Sequence, residues 1–256
     1  MRKTFAAAVG VLAVVLAAMT ARAEPSEEAK KEFNRAVGLV KEGKADSAIS
    51  AYEAAIKQTP DYLDAHVNVG ALYYEKKQLT DAASHLEAAL KLDSTNADAY
   101  KTLGLVYVQT DKLDQAMATF TKLGTLDAKK SAAGWVALGQ AKKKKGDTAG
   151  ALDAYNKAVK ADPSDSRTLY NMGNLHMGAQ HYEDAIASYR KAMAVNPKYT
   201  EAYYNLAICS NTLDESKCVA DYEAFLKVAG TGSKWKTQVA AAQAKVKELK
   251  AKQGGH

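Results

Sequence analysis

Apolar residues recur along the chain at steps of three and four positions, which is the period of a helix with one buried face. Val69, Leu72 and Tyr73 form one such stripe. Short polar turns rich in Gly, Asp and Lys separate the stripes, as at residues 42–44 and 145–147. The pattern therefore predicts pairs of short helices joined by tight turns, without strands.

The helix pairs repeat with a period of 34 or 35 residues. Small residues stand near the start of each second helix at Ala48, Ala82, Ala116, Ala151 and Ala185. A large residue follows four positions later at Tyr52, Leu86, Phe120, Tyr155 and Tyr189. Pro60, Pro163 and Pro197 fall at the ends of their units, where proline cannot continue a helix. A fixed period of this length is typical of repeats that bury their apolar faces against each other.

These repeated positions resemble the tetratricopeptide repeat, a helix-turn-helix unit of 34 residues. The segments 169–174 and 203–207 are close to the large residue, Leu-Gly and Tyr pattern of its first helix. The resemblance implies an all-α fold, a right-handed α-solenoid of about six repeats plus a C-terminal capping helix. The register places the repeats within residues 29–230, at 29–62, 63–96, 97–131, 132–165, 166–199 and 200–230.

The N-terminus has the pattern of an export signal. Arg2 and Lys3 precede an apolar run over residues 5–19, and small residues stand at Ala21 and Ala23. A retained membrane anchor is the alternative, although the run is shorter than the ~20 residues that a membrane-crossing helix needs. We expect a bacterial protein that is periplasmic or secreted. The predicted boundaries are a signal peptide at 1–23 and a short linker at 24–28.

Composition agrees with a folded helical protein, because 47% of the residues are hydrophobic and only 4 prolines interrupt the chain. The formal net charge of +6 falls to +3 when the three cations of the predicted signal peptide are removed. This charge is too small to indicate nucleic-acid binding by itself.

The two cysteines, Cys209 and Cys218, lie in the sixth repeat, where the pattern of the other repeats is altered. An even pair across a tight hairpin in an oxidising compartment predicts a structural disulfide. A redox pair is an alternative, but the spacing is not that of a Cys-x-x-Cys motif. Two free buried thiols are the remaining alternative.

Residues 233–252 predict one more amphipathic helix, with Trp235, Val239 and Leu249 on its apolar face. Its other face is rich in lysine. A final helix with a polar outer side is what an open stack of repeats needs as a cap. A basic helix for an anionic lipid or polymer is the alternative. Residues 253–256 are predicted to be a frayed tail.

The sequence offers little catalytic chemistry. Its histidines lie at repeat positions or at the terminus, and the nearest pair, His176 and His181, flanks a turn. We interpret that pair as ordinary polar residues rather than metal ligands, since no further Cys or His accompanies it. No glycine-rich phosphate loop or nucleophile setting is present. The prediction is a protein that is not an enzyme, with no cofactor and no metal.

The family resemblance implies a concave groove lined by the first helices, in which a partner peptide lies. The register places the following residues in or beside it: Lys101, Val136, Gln140, Lys143, Lys144, Arg167, Tyr170, Asn174, Tyr204, Asn205 and Ile208. The middle of this set is basic. It loosely resembles the carboxylate clamp of some tetratricopeptide proteins, since Asn174 and Asn205 match its two asparagines, although Tyr170 replaces its first lysine. The predicted partner is an extended segment with acidic or terminal carboxylate groups.

Three functional classes remain open. The favoured one is a protein-interaction scaffold in the bacterial cell envelope, for example in a pilus, secretion or motility assembly. The second is a binder of an anionic envelope polymer or lipid surface through the lysine-rich faces. The third is an accessory subunit of an envelope enzyme. Homo-oligomerisation through the end repeats is compatible with each of them.

Overall fold

The computed structural model describes residues 24–216, 218–230 and 233–253. These residues contain α-helices, one short 3-10 helix at Ser233–Trp235 and no strand. The helices are α1 Glu27–Lys41, α2 Ala45–Gln58, α3 Leu63–Glu75, α4 Leu79–Leu92, α5 Ala97–Gln109, α6 Leu113–Leu126, α7 Ala128–Lys144, α8 Thr148–Ala161, α9 Ser166–Gly178, α10 Tyr182–Val195, α11 Thr200–Leu213, α12 Val219–Ala229 and α13 Lys236–Gln253. The all-α helical-repeat class predicted from the sequence is confirmed.

Two of the predicted segments lie outside the described residues, namely the signal peptide at 1–23 and all but the first residue of the tail at 253–256. Among the helices that are described, none combines the length and the apolar character required to cross a membrane.

The chain divides into two compact units, Met1–Val106 and Tyr107–His256, here called the N-terminal and C-terminal units. In the N-terminal unit, α1 pairs with α2 and α3 pairs with α4, while α2 also packs against α3. The helices approach closely because alanines face each other in the core at Ala29, Ala36, Ala48, Ala51 and Ala55. Aromatic rings fill the space beside them, with the Phe33 ring 4.9 Å from Tyr62 and 5.4 Å from Tyr52.

In the C-terminal unit each helix from α6 to α13 packs against the next one along the chain. Glycine on a first helix makes room for an aromatic ring of a second helix. The rings of Phe120 and Tyr189 occupy the space that a Cβ on Gly134 and Gly173 would need. Both rings are fully buried, so these glycines permit the short distance between helices on which the packing depends.

The turns inside the helix pairs share one backbone feature. In the first five pairs, one turn residue adopts the left-handed region, namely Gly43, Lys77, Asp111, Gly146 and Gln180, with φ between 62° and 80°. These residues recur at the repeat period. Only two are glycine, the residue that adopts this conformation without steric cost.

Two kinds of helix start recur along the chain. Asp127, Asp147 and Asp165 precede α7, α8 and α9 and accept a hydrogen bond from a backbone amide of the first turn, the usual role of a capping aspartate. Most other second helices begin at a Lys, Gln or His without a side-chain cap and carry an acidic residue in the first turn, which favours them through the helix dipole. Because Asp127 caps it, α7 begins at Ala128, a full turn before the position that the repeat register gives.

The C-terminal helix covers an apolar face of the last pair. Ala242 and Leu249 of α13 are buried in one cluster with Cys218, Tyr222 and Phe225. Trp235 meets the edge of Phe225, with ring centroids 6.1 Å apart. The position of α13 agrees with the capping role predicted for it, since its apolar residues shield the aromatic core of α12 from water.

Candidate peptide-binding cleft

The C-terminal unit contains an open cleft of about 680 Å³ between its first helices. Three helices and the loops before two of them contribute to it. The lining residues are Ala133, Val136, Gln140, Asp165, Ser166, Arg167, Asn196, Lys198, Tyr199 and Glu201. A cleft of this size and openness is large enough for several residues of an extended peptide.

The packing of α7 fixes one wall of the cleft. Trp135 and Leu138 are buried on the opposite side of this helix. Val136 and Gln140 stand four positions apart and therefore share the face that lines the cleft. Val136 also packs against the cluster around Tyr155, so this wall has an apolar base and a polar rim.

The acidic groups of the cleft are already engaged by the protein. Asp165 accepts hydrogen bonds from the backbone amide of Arg167 at 3.0 Å and from the Thr168 hydroxyl at 2.5 Å. Glu201 lies 3.0 Å from the ammonium group of Lys234. The side chains of Arg167 and Lys198 are exposed and form no ion pair with any described residue. Because the donors to Asp165 are neutral, its carboxylate keeps its charge, and the two unpaired cations leave the cleft with a small excess of positive charge.

The four lysines at the end of α7, Lys142 to Lys145, differ in whether they form an ion pair. Lys142 pairs with Asp147 at 3.0 Å, and Lys145 pairs with Asp111 at 2.5 Å. Lys143 and Lys144 are exposed, and no ion pair within the described part of the chain engages them. The two middle lysines thus remain available to an acidic partner.

A hydrogen-bonded cluster of two asparagines and two tyrosines joins α9, α10 and α11. Oδ1 of Asn174 accepts from the Tyr189 hydroxyl at 2.8 Å and from Nδ2 of Asn205 at 2.9 Å. Nδ2 of Asn205 also donates to the Tyr170 hydroxyl at 3.1 Å. Burial raises the pKa of Tyr189 well above its ordinary value, so its hydroxyl stays protonated and continues to donate.

A row of aromatic rings connects this cluster with the cleft. The Tyr170 ring lies 5.7 Å from Tyr189 and 4.9 Å from Tyr199, which lines the cleft itself. Burial, followed by the charges of Tyr170 and Glu201, raises the pKa of Tyr199 to about 12. The partly exposed rings of Tyr170 and Tyr199, tilted by 36° to each other, place aromatic surface between the cationic rim and the asparagines.

The residues predicted from the sequence fall into four groups. Val136, Gln140 and Arg167 line the cleft, and Tyr170, Asn174 and Asn205 form the adjacent cluster. Lys143 and Lys144 lie at the exposed end of α7. Tyr204 packs against Phe225, with ring centroids 5.0 Å apart, and Ile208 is half-buried. Lys101 is an exposed residue of α5 in the N-terminal unit.

Sequence reasoning missed the loop residues of the cleft. Asp165 and Tyr199 each stand directly before a first helix, one repeat period apart, and Asn196 and Lys198 belong to the same loop as Tyr199. The groove register considers only positions inside the first helices. The loop residues could have been found by aligning, at the repeat period, the residues that directly precede the first helices.

Both cysteines are free, buried thiols in the structure. Cys209 belongs to the core cluster around Tyr189 and Leu206, whereas Cys218 belongs to the cluster around Phe225. Burial raises the pKa of the Cys209 thiol to about 11 and also raises that of Cys218. Neither thiol is therefore activated as a nucleophile, and the disulfide stays a prediction.

Family models of the tetratricopeptide repeat match most of the chain. Three described as tetratricopeptide repeat match residues 33–97, 73–140 and 166–199, and one described as TPR repeat matches residues 139–180. Together they extend from residue 33 to residue 199, more than half of the sequence. No curated protein sequence matches the chain.

Solved structures share this fold. The C-terminal part of a TPR repeat-containing protein from Cytophaga hutchinsonii is 17% identical, with a TM-score of 0.66, and the match covers 85% of this chain and 95% of that one. MamA is 24% identical, with a TM-score of 0.58 and coverage of 65% and 96%. YrrB, described as a TPR protein with an unusual peptide-binding site, is 20% identical, with a TM-score of 0.51 and coverage of 70% and 92%. At these identities the likeness shows the fold alone.

Proposed function

The chain belongs to the tetratricopeptide repeat family, and on that premise we propose that it is a non-catalytic scaffold that binds an extended partner peptide in the cleft of its C-terminal unit. The partner segment carries acidic side chains or a terminal carboxylate. The observation that carries this proposal is the charge of the cleft: Glu201 is paired with Lys234, and the two cations Arg167 and Lys198, which have no ion-pair partner among the described residues, outnumber the one remaining carboxylate, Asp165.

The cations around the cleft suit a carboxylate-bearing partner. The guanidinium of Arg167 can bind a carboxylate through two parallel hydrogen bonds. Lys143 and Lys144 extend the positive surface along the end of α7 and add attraction that depends on ionic strength. Peptide binding of this kind should therefore weaken as salt concentration rises.

The asparagine cluster suits a peptide backbone. Within the described residues, the hydrogen bonds of Asn174 use its Oδ1, and those of Asn205 use its Nδ2. Nδ2 of Asn174 can therefore still donate a hydrogen bond to a partner, and Oδ1 of Asn205 can still accept one. Such a donor and such an acceptor suit the C=O and N–H groups of an extended chain.

The cellular setting of this scaffold is the bacterial envelope in our proposal, with the protein periplasmic or secreted. The support is the export-signal pattern of residues 1–23, in which a charged start precedes an apolar run and a pair of small residues. A pilus, secretion or motility assembly would supply partners of the required kind.

The alternative of an anionic polymer or lipid surface has less support. The lysines of the C-terminal segment face acidic neighbours: Lys245 and Lys252 pair with Glu215, and Lys250 pairs with Glu223. Such pairing reduces the uncompensated charge that a basic surface would need.

The test is charge reversal of the cationic rim. The variant Lys143→Glu, Lys144→Glu, Arg167→Glu is compared with the unmodified protein in fluorescence anisotropy against arrays of acidic, neutral and basic extended peptides. We expect acidic peptides to bind the unmodified protein and to lose at least about tenfold in affinity in the variant, or roughly 1.4 kcal/mol.

A matched control separates the site from total charge. Lys122, Lys160 and Lys191 are exposed residues of second helices in the same unit, so their replacement by Glu changes the net charge equally. We expect the control to bind as the unmodified protein does, and both variants to keep the helical circular dichroism spectrum. Undiminished binding by the rim variant, or an equal loss in the control, refutes this site.

A further inference from the structure

The turn between α9 and α10 brings together three side chains that can bind a metal. His176 lies in the last turn of α9, His181 immediately precedes α10, and Asp184 lies in its first turn. One ligand atom from each side chain lies within 4.8 Å of the others. The left-handed backbone of Gln180 and the hydrogen bond from the His181 amide to the His176 carbonyl, 2.9 Å long, fix this arrangement.

A second observation points to a ligand at this place. Nδ1 of His176 is buried and has no hydrogen-bond partner, the only such side-chain atom among the described residues. Oδ2 of Asp184 lies 3.9 Å away, which is too far for a hydrogen bond. A buried polar atom that lacks a partner is costly and calls for an explanation.

In the N-terminal unit, by contrast, the ring nitrogens of the two histidines have partners. Nδ1 of His66 lies 3.1 Å from Nδ1 of His85, and its Nε2 lies 2.8 Å from the Pro60 carbonyl oxygen. Nε2 of His85 faces the Glu53 carboxylate at 3.0 Å. Those rings are satisfied by the protein itself, whereas His176 is not.

We propose that His176, His181 and Asp184 form a binding site for a divalent transition-metal ion, with zinc as the ion of reference. Two imidazoles and one carboxylate are a ligand set that zinc accepts, with a fourth position left for water. Ligands bonded to zinc at about 2.0–2.1 Å stand roughly 3.3 Å apart in a tetrahedral site. The three ligand atoms lie within 4.8 Å of one another, and the exposed side chains of His181 and Asp184 can adjust their rotamers to reach the shorter spacing.

The site adds a property that peptide binding does not require. Asn174 of the asparagine cluster stands two residues before His176 on the same helix. Met177, the residue after His176, accepts a weak hydrogen bond from Tyr189 of that cluster at 3.7 Å. A metal that joins the end of α9 to the start of α10 would hold these two helices together beside that cluster. Metal binding itself can be measured without any peptide.

The test uses the full mature chain without an affinity tag, titrated with Zn²⁺ in a calorimeter and with Co²⁺ in the visible spectrum. We expect one Zn²⁺ per chain, a cobalt spectrum typical of nitrogen and oxygen ligands, and a higher melting temperature with zinc. His181→Gln and Asp184→Asn should each weaken binding by at least about tenfold.

Asp114→Asn is the matched control, because Asp114 is an exposed first-turn aspartate of α6. We expect this variant to bind Zn²⁺ like the unmodified protein. Because His181 and Asp184 are exposed, their variants should keep the helical spectrum. Absence of saturable binding, or equal affinity in the His181 and Asp184 variants, overturns the proposal and leaves a bridging water as the partner of His176.

Discussion

Gly139 of α7 and Tyr155 of α8 stand so close that a Cβ added to the glycine would lie 2.7 Å from the Cδ1 and Cε1 atoms of the ring. The ring is almost fully buried and packs in a cluster with Ala151 and Leu175. It cannot move away without disturbing those neighbours, because protein cores are packed without spare space.

The variant Gly139→Ala should therefore lose stability. We expect the free energy of unfolding to fall by about 1–3 kcal/mol, the usual cost of overpacking a core. Urea unfolding followed by circular dichroism measures it. Gly38→Ala is the control, since a Cβ there would meet nothing within 4 Å, and alanine in a helix interior should raise stability by roughly 0.5–1 kcal/mol. If both variants shift the midpoint in the same direction, the close contact does not govern the packing.

The helix pairs could be predicted from the sequence because the residues that pack them together recur at the repeat period. Gly139 and Tyr155, like Gly173 and Tyr189, recur in phase with the repeat, and a local pattern of small and large residues is enough to specify that packing. The all-α class follows directly from it.

The candidate sites could be predicted only in part, because they depend on contacts between segments. Lys142 to Lys145 look alike in the sequence, and only the structure shows that Asp147 and Asp111 engage the outer two. The convergence of His176 with Asp184 likewise depends on the backbone of one turn residue, Gln180. Side-chain partners of this kind have no period, so the repeat register does not reveal them.

Two partly buried tyrosines, Tyr73 and Tyr199, should make the protein less stable at alkaline pH. Burial, followed by the nearby Glu53 carboxylate, raises the pKa of Tyr73 to about 12, and burial also raises that of Tyr199 to about 12. The same groups release their protons near pH ~10 in an unfolded chain. Between these values the folded protein holds more protons than the unfolded chain, so stability is fully present below pH ~10 and is lost as pH rises toward 12.

Circular dichroism and tyrosinate absorbance, recorded together during an alkaline titration, measure this effect. We expect the helical signal to fall in the same pH range in which the last tyrosines ionise. The double variant Tyr73→Phe, Tyr199→Phe should lose stability less steeply with pH, because two of the protonation differences are gone. An identical slope in both proteins would show that these two hydroxyls do not contribute.

The two cysteine thiols should not react with alkylating agents while the protein is folded. Cys209 and Cys218 are fully buried, and burial disfavours the thiolate that reacts with alkylating agents. At neutral pH we expect no labelling of the folded protein and two labels per chain after unfolding in urea without reductant, measured by mass spectrometry. Labelling that appears only after reduction would instead demonstrate the disulfide predicted from the sequence.

The C-terminal helix should contribute strongly to the stability of the last repeat. Leu249 is only 2% exposed and packs in the cluster that contains Phe225. Leu249→Ala should lower the free energy of unfolding by about 2–5 kcal/mol, through lost burial and the cavity left behind. Lys247→Ala, on the exposed face of the same helix, should change it by no more than about 0.5 kcal/mol.

Thermal melts compare the two variants, and analytical ultracentrifugation tests whether a loosened α13 promotes self-association through the uncovered face. A melting temperature that is equal in both variants would mean that α13 does not cap the stack.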